Sequence, residues 1–357
     1  MNNLQIQSYQ PEHWPQLSQL LERWPFKPMA GFSNSDHSRF VLARERVRAM
    51  LNSGDGPNAR LITSGGQVVG FASLRALTWD SERLGVPATR VEYLIADGSY
   101  VEQLEIKNQL LIDLLPNAFS RGRTHISARL DASDFSSLHT LERSGFVTVD
   151  TILHFAVDFA KRELSKPQHD FEIRLAGPAD AETVSKLAKT AFVYDRFHSD
   201  PFVSKKRADD LHESWLRNSC AENSRDNVLL AESKHELLGF VSCAVQEDTA
   251  RWLGRSVGTI VLVACAQQER RRGVGRALML TASEWLRQQG CEIVESGTQV
   301  RNVPSARMFR QCGFDYVGAS ISLRHSFALA QPTVIPYDPS VVAIHRHDRP
   351  DHVLPAN

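Results

Sequence analysis

The stretch QQERRRGVGRALM, Gln267–Met279, sets four arginines (Arg270, Arg271, Arg272 and Arg276) around Gly273 and Gly275 at the head of an amphipathic run. It follows TIVLVACA, Thr259–Ala266, an apolar segment of strand character. Strand, glycine turn and helix is an order that leaves successive backbone N–H groups uncovered at a helix N-terminus, where the helix dipole favours anions. Glycine suits the turn because positive φ costs it nothing sterically. Arginine adds charge and bidentate contact with phosphate oxygens. Taken alone, the turn is open to three readings: a phosphate cradle, a basic patch for nucleic acid, or a tight turn with a solvated basic face.

The charge of the whole chain argues against nucleic acid. Forty-one Lys and Arg balance 41 Asp and Glu, whereas non-specific nucleic-acid binding needs a cationic surplus to release counterions. The 357 residues exceed one ordinary domain and suit two of about 150–180 residues. The N-terminal MNNLQIQSYQPEHW has neither the basic nor the apolar region of a signal peptide. No run approaches the roughly 18 apolar residues of a membrane span. A cytoplasmic protein without a membrane partner is expected. The five cysteines, Cys220, Cys243, Cys265, Cys291 and Cys312, form no CxxC pair, so reduced and mostly buried thiols are expected. The tail's HRHDRPDH, His345–His352, shows no ligand cage of fixed spacing, and no metal is expected.

Three pairs of segments echo each other at a constant offset. LQIQSYQPEHWPQLSQLL from Leu4 resembles FEIRLAGPADAETVSKLA from Phe171 (171 − 4 = 167). Gly70-Phe71 matches Gly239-Phe240 (239 − 70 = 169), and Gly145-Phe146 matches Gly313-Phe314 (313 − 145 = 168). Such agreement marks a duplication. In the second copy Val184, Leu187, Ala188, Ala191 and Phe192 lie on one face of a predicted helix. A hairpin, the strand TIVLVACA, a helix from about Val274 to Gln289 stopped by Gly290, strand EIVESGT, a short helix from about Val303 and a last strand, YVGASISLRH, complete that unit. The expected class is mixed α/β, each unit a central sheet flanked by helices. The expected organisation is a first unit over 1–160, a charged linker over 161–170, a second unit over 171–327 and an extended proline-rich tail over 328–357.

Arg270-x-x-Gly273-x-Gly275 after a strand resembles the acyl-CoA pyrophosphate loop of the GNAT superfamily of N-acyltransferases. NVPSARMFRQCGF, Asn302–Phe314, resembles that family's second signature, with small Ser305 and aromatic Phe309 at its spacing. AFVYDRFHSDP (Ala191–Pro201), ESWLRNS (Glu213–Ser219) and TQVRNVPSARMFRQCGF (Thr298–Phe314) are similar to the TDP-fucosamine acetyltransferase type of sugar N-acetyltransferase, as is LTWDSERLG (Leu77–Gly85) in the first half. The resemblance spans most of the second unit and patches of the first. It implies two tandem GNAT folds, with acetyl-CoA held by Leu262, Val263, Ala264, Arg270, Arg271, Arg272, Gly273, Val274, Gly275, Arg276, Asn302, Ser305 and Phe309. Backbone amides near Val263 would face the thioester carbonyl, and the acceptor amine would attack directly in a ternary complex. The implied acceptor is a small-molecule amine, foremost a nucleotide-linked amino sugar, contacted by Tyr194, Arg196, Phe197 and Gln299. An amino acid, polyamine or peptide amine, and a non-catalytic acyl-CoA sensor, stay open. So does the oligomeric state, a homodimer included.

The first unit lacks these features. EYLIADGSYVEQLEIKNQLL, Glu92–Leu111, has no arginine-glycine turn, and Asp134, Ser137 and Leu141 stand where Asn302, Ser305 and Phe309 stand in the second. It is expected to be degenerate, a structural or substrate-wall copy. Phe309 occupies the position where the family usually carries a proton-donating tyrosine, leaving Tyr316 or a water for that role. A thiol pKa of about 8.5 makes thiolate a tolerable leaving group. His198, oriented by Asp200, is the expected general base, with Glu247, Asp248 and Glu295 as alternatives. Cys312 is expected to be a buried structural thiol.

Overall fold

The two halves repeat one order of elements. The computed structural model describes residues 4–32, 35–53, 58–120, 125–222 and 224–325; the histidines of the tail lie outside them. The first half runs β1 (Gln5–Ser8), α1 (Trp14–Arg23), α2 (Asp36–Asn52), β2 (Asn58–Ser64), β3 (Gln67–Ala76), α3 (Thr78–Leu84), β4 (Ala88–Ala96), α4 (Tyr100–Ser120), β5 (His125–Asp131), α5 (Phe135–Arg143) and β6 (Phe146–Asp158). The second runs β7 (Glu172–Leu175), α6 (Ala181–Ala191), α7 (Lys205–Ser219), β8 (Asn227–Ser233), β9 (Glu236–Gln246), α8 (Glu247–Trp252), β10 (Val257–Cys265), α9 (Val274–Gln288), β11 (Ile293–Gln299), α10 (Val303–Gln311) and β12 (Asp315–His325).

Local chemistry sets these elements. Each half makes its hairpin with a two-residue turn of positive φ, Gly65-Gly66 in the first and Lys234-His235 in the second, the geometry that matches strand twist. Helix α9 ends before Gly290, whose φ is +87°. Helix α7 was not expected from the sequence. Ser204 caps it, its side chain accepting from the Arg207 amide, and Lys205–Asp209 and Lys206–Asp210 support it at i,i+4.

All twelve strands form one sheet, in the order β1-β2-β3-β4-β5-β12-β6-β11-β10-β9-β8-β7. The last strand of each half has changed places. Strand β6 pairs with β11, from Ile293↔Asp158 to Gln299↔Ile152, and β12 pairs with β5, from Ser320↔Asp131 to Arg324↔Ser127. The two exchanged strands also pair with each other. YVGASISLRH therefore bridges the halves, where the sequence suggested that it completes the second. A strand's pattern fixes which face it buries, not which edge it joins.

Helices α9 and α10 cover one face of the second half, around Leu278, Leu286, Val294, Phe309 and Phe314. Helix α4 covers the same face of the first half, around Leu110, Leu114 and Ile126. On the opposite face, each half lends a helix to the other. Leu42 of α2 packs with Leu253, Val257 and Ile293, while Leu84 and Ala88 pack with Phe197, Ala208 and Leu211. Each such fully buried side chain contributes about 1.5–3 kcal/mol. Arg46 adds an ion pair to Asp248 at 2.6 Å.

Candidate functional site

The arginine-glycine turn joins β10 to α9 as expected. Arg271 (φ +66°) and Gly273 (φ +85°) are both left-handed. Gly273 is the N-cap of α9 and offers no side chain to its amides, although the Gly275 N–H meets the Cys265 thiol. Gly275 is closely packed: a Cβ there would meet Met308 Sδ at 3.0 Å and Cys265 Sγ at 3.4 Å, so these side chains would have to give way. Arg272 pairs with Glu269 at 2.6 Å, and Arg276 donates to Ser165 Oγ at 3.1 Å. Arg270 and Arg271 make no ion pair among the described residues.

The strands beside the turn part company. Strands β10 and β11 are parallel and paired only from Val257↔Ile293 to Ile260↔Ser296, although β10 continues to Cys265 and β11 to Gln299. Against β9, β10 shifts register between Ile260 and Leu262, a bulge of the kind that bends a strand and re-aims its groups. From Val261 on, the β11-facing edge of β10 has no strand beside it in the described sheet. The side chains of Leu262 and Ala264 pack with Val184, Leu230 and Phe240. Backbone, not side chain, is what Leu262, Val263 and Ala264 can present there.

The first half repeats the parting but closes the turn. Strands β4 and β5 pair only from Ala88↔His125 to Val91↔Ala128. At the head of α4, however, the Gly98 N–H donates to Asp97 Oδ1 at 2.9 Å and the Ser99 N–H to Glu102 Oε2 at 2.7 Å. The amides that stay open in the second half are satisfied here by the chain's own carboxylates, which would also repel an anion.

Several expected site residues stand elsewhere. Asn302 accepts from the Ser305 N–H at 3.4 Å, so this pair holds the head of α10. Phe309, expected against the cofactor, is 2% exposed in the core, 5.3 Å edge-to-face from Phe155 and 6.0 Å from Phe314. A hydrocarbon ring on the buried face of an amphipathic helix belongs there. Tyr316 is exposed, its ring 6.1 Å from Phe155. Phe197 is buried among Leu84, Ala208 and Leu211, Tyr194 is exposed and Gln299 half-buried. Arg196 is ion-paired to Asp80 at 3.0 Å and lies over the Phe197 ring.

The expected His198–Asp200 pair does not form. His198 Nδ1 meets Asp195 at 2.5 Å and Nε2 meets Asp209 at 3.0 Å, whereas Asp200 pairs with Arg324 at 2.8 Å. Burial opposes a charge on His198, but the hydrogen bonds and charges of Asp195 and Asp209 outweigh it and raise its pKa. An imidazole with both nitrogens engaged by carboxylates has none free to take a proton from an acceptor. Asp195, His198 and His212 present ligand atoms within 4.8 Å of one another, a spacing a cation could use; here both nitrogens of His198 are engaged by carboxylates.

The face between the halves carries groups the motifs did not reveal. By strand alternation Glu295 and Gln299 of β11 share it with Ile293, and Asp150 and His154 of β6 share it with Ala156. Burial raises the pKa of Glu295, opposed by hydrogen bonds from Thr259 Oγ1 (3.0 Å) and Gln246 Nε2. Burial likewise pushes Asp150 up to about 6. His154 Nε2 lies 2.9 Å from Ser320 Oγ, and Arg129 Nε donates to Ser322 Oγ at 3.2 Å. Close by, a cavity of about 380 Å3 is lined by Trp79, Asp80, Arg196, Phe197, Trp215 and Asp226, among others. Its two tryptophans come from LTWDSERLG and ESWLRNS, segments far apart in sequence, and meet edge-to-face at 6.0 Å. The sequence names Glu295, Gln299 and Arg196 one by one, but their grouping with Asp150, His154 and Arg129 is set by how the strands of the two halves are ordered.

A duplicated α/β sheet with one open arginine-glycine cradle beside parting strands defines a tandem acyltransferase fold, and comparison with known proteins agrees. The acetyltransferase (GNAT) family model matches residues 190–314. Aminoglycoside N(6')-acetyltransferase type 1 of Stenotrophomonas maltophilia is 30% identical over 144 residues, 40% of this chain and 85% of that protein. The dTDP-fucosamine acetyltransferase of Escherichia coli is 22% identical over 243 residues, 68% of this chain and 93% of its own. Spore coat polysaccharide biosynthesis protein SpsD of Bacillus subtilis is 23% identical over 53% of this chain, which spans 62% of SpsD's length. The chain likewise spans 58% of the mycothiol acetyltransferase of Saccharomonospora viridis. Among solved structures, a GCN5-related N-acetyltransferase from Sphaerobacter thermophilus superposes with a TM-score of 0.57 at 16% identity, covering 90% of this chain and 95% of that one. A tandem GNAT protein from the clavulanic acid biosynthesis pathway gives 0.53 at 16% identity, covering 90% and 98%. The chain belongs to the acetyltransferase (GNAT) family, and its fold is of the tandem kind. No helix among the described residues is long and apolar enough to cross a membrane.

Proposed function

We propose that this chain is an acetyl-CoA-dependent N-acetyltransferase with a single cofactor site, in its second half, acting on the amine of a small molecule, foremost a nucleotide-linked amino sugar, in the cytoplasm. The observation that carries this reading is the contrast between the two turns: uncapped amides and two unpaired arginines at the head of α9, against amides filled by Asp97 and Glu102 in the first half. The open turn fits a pyrophosphate, held by the Gly273–Gly275 amides with Arg270 and Arg271 alongside. Acetyl-CoA, when bound, supplies a thioester electrophile. The unpaired backbone edge from Leu262 to Ala264 is placed to donate to its carbonyl oxygen and to the oxyanion that develops there.

In this reading Glu295 replaces His198 as the general base. It stands one residue before Ser296, where the parallel pairing ends, and burial raises its pKa, which strengthens it as a base toward the acceptor ammonium. The acceptor lies on the face formed by Gln299, His154 and Tyr194. Relatives named for acting on a dTDP-sugar amine and on an aminoglycoside favour an amine borne on a sugar ring.

Release of free thiol from acetyl-CoA, measured with a panel of amino sugars, amino acids and polyamines, tests the reading. Thiol release that depends on an amino sugar supports it. CoA binding without release for any amine overturns it in favour of an acyl-CoA sensor. Arg272→Glu combined with Gly273→Glu is expected to abolish CoA binding; unchanged affinity would contradict the cradle.

A further inference from the structure

A second converging set of cations lies at the junction of the halves. A pocket there is walled by Arg90 of β4, His125 and Arg129 of β5, Arg324 of β12 and Arg196 from the loop after α6. Its one acidic wall residue, Asp200, is already paired with Arg324 at 2.8 Å. Asp80 and Glu92, which pair with Arg196 and Arg90, are not among its walls. Arg324 is 6% exposed, and its Nη1 is buried without a hydrogen-bond partner. Burial first, and then the neighbouring Arg196 and Arg324, push His125 down to about 4, the response of a buried cation crowded by cations. The enclosed centre has room, about 10 Å3, for one water-sized group. A buried guanidinium with an unmade hydrogen bond, ringed by three further arginines, calls for an acceptor oxygen.

We propose that this pocket seats a phosphoryl oxygen of the acceptor, so that the substrate is an amino sugar carrying its phosphate remote from the amine, and the first half contributes the anion-recognising wall. The proposal rests on the acetyltransferase reading for the identity of the acceptor, not for the existence of the anion site. Distance decides the substrate class. Strands β11 and β5 are three steps apart, through β6 and β12, roughly 14 Å sideways at about 4.8 Å per step. Glu295 is level with Ala156, whereas Arg129 is level through Ser322 with Asp150, roughly 20 Å farther along the strands, so the two backbones stand about 24 Å apart. An amino acid, whose amine and carboxylate stand on one carbon, cannot span from Glu295 to Arg129. A nucleotide-linked hexosamine, extended across its diphosphate and met by the two side chains, is of the required length.

The test begins with the full chain saturated with CoA, so that the cradle cannot take up the probe. Calorimetric titration with inorganic pyrophosphate and with a thymidine diphosphate is expected to show one site per chain. Arg129→Gln, and separately Arg90→Gln on the neighbouring strand, should weaken it at least tenfold with CoA affinity unchanged, which also reports that each variant is folded. Binding of neither probe, or binding that both variants leave intact, overturns the proposal. In thiol-release assays, a thymidine-diphosphate-linked 4-amino-4-deoxyhexose, whose amine and diphosphate stand on opposite sides of the ring, should show a KM tenfold or more below that of the free 4-amino sugar, and Arg129→Gln should erase the difference; equal KM values in the parent protein overturn the substrate assignment. Pyrophosphate binding without thiol release for any amine leaves the anion site standing while sinking the acetyltransferase reading, so the two failures are told apart.

Discussion

Lys107 sets its ammonium 3.1 Å from Asp134 Oδ1, with both side chains more than nine-tenths buried. It also donates to Ser136 and Ser137 Oγ, each at 2.7 Å. Asp134 caps α5, as Asn302 caps α10 exactly one repeat later (302 − 134 = 168). In the first half this position has become a structural ion pair. Asp134→Ala leaves an uncompensated buried ammonium and should destabilise the protein by about 3–5 kcal/mol. Asn302→Ala removes only a cap and should cost about 1 kcal/mol. Urea unfolding of the two variants checks the difference; comparable losses would refute it.

Restoring the family's usual tyrosine should not restore an acid. Phe309 is enclosed by Phe155 and Phe314, so Phe309→Tyr would bury a hydroxyl without a partner at a cost of about 1–3 kcal/mol. The expected result is a lower Tm and no gain in kcat. A rise in kcat would show that the ring reaches the leaving thiolate.

His198 gives a pH signature of definite sign. Its folded pKa is raised, so the folded state holds the proton more tightly than the unfolded one. The resulting stabilisation is fully present below the unfolded value of about 6.5 and disappears as pH rises through the folded pKa. The urea midpoint of the parent should exceed that of His198→Gln by most at pH 6 and by least at pH 9. A gap that is constant, or that widens with pH, would count against the Asp195–His198–Asp209 clamp.

The halves should not unfold separately. Strands β6 and β12 each pair across the junction, and helices α2 and α7 pack on the partner half. One calorimetric transition is expected. A fragment of residues 1–160 would leave β5 and β6 with unpaired edges and should aggregate or stay unfolded. Two separable transitions would disprove the coupling.

The cradle, the helix that follows it and the absence of the arginine-glycine turn from the first half are legible in the sequence, because glycine conformation, amphipathic spacing and internal repetition are local properties. Helix α7 was hidden: its run KKRADDLHESWLRNS is polar on most of its surface, and its few buried residues follow a helical spacing that its charges mask. Glu295 is visible as an acid near a strand end but not as a buried one, since burial depends on Arg46 and Gln246 arriving from elsewhere. Asp200 was assigned to His198 on proximity in the chain, and lost it to Asp195 and Asp209, which the loop's fold brings nearer. The anion pocket is wholly non-local, with walls drawn from β4, β5, β12 and the loop after α6.

Strand exchange also imposes an order on biosynthesis. The place between β5 and β6 belongs to β12, which begins at Asp315, whereas β6 ends at Asp158. A ribosome adding about 5–20 residues per second needs roughly 10–30 s to cross that interval. Throughout it, the first half waits with two hydrogen-bonding edges and no strand to fill them. The nascent chain is thus most in need of chaperone cover while its own second half is still being made.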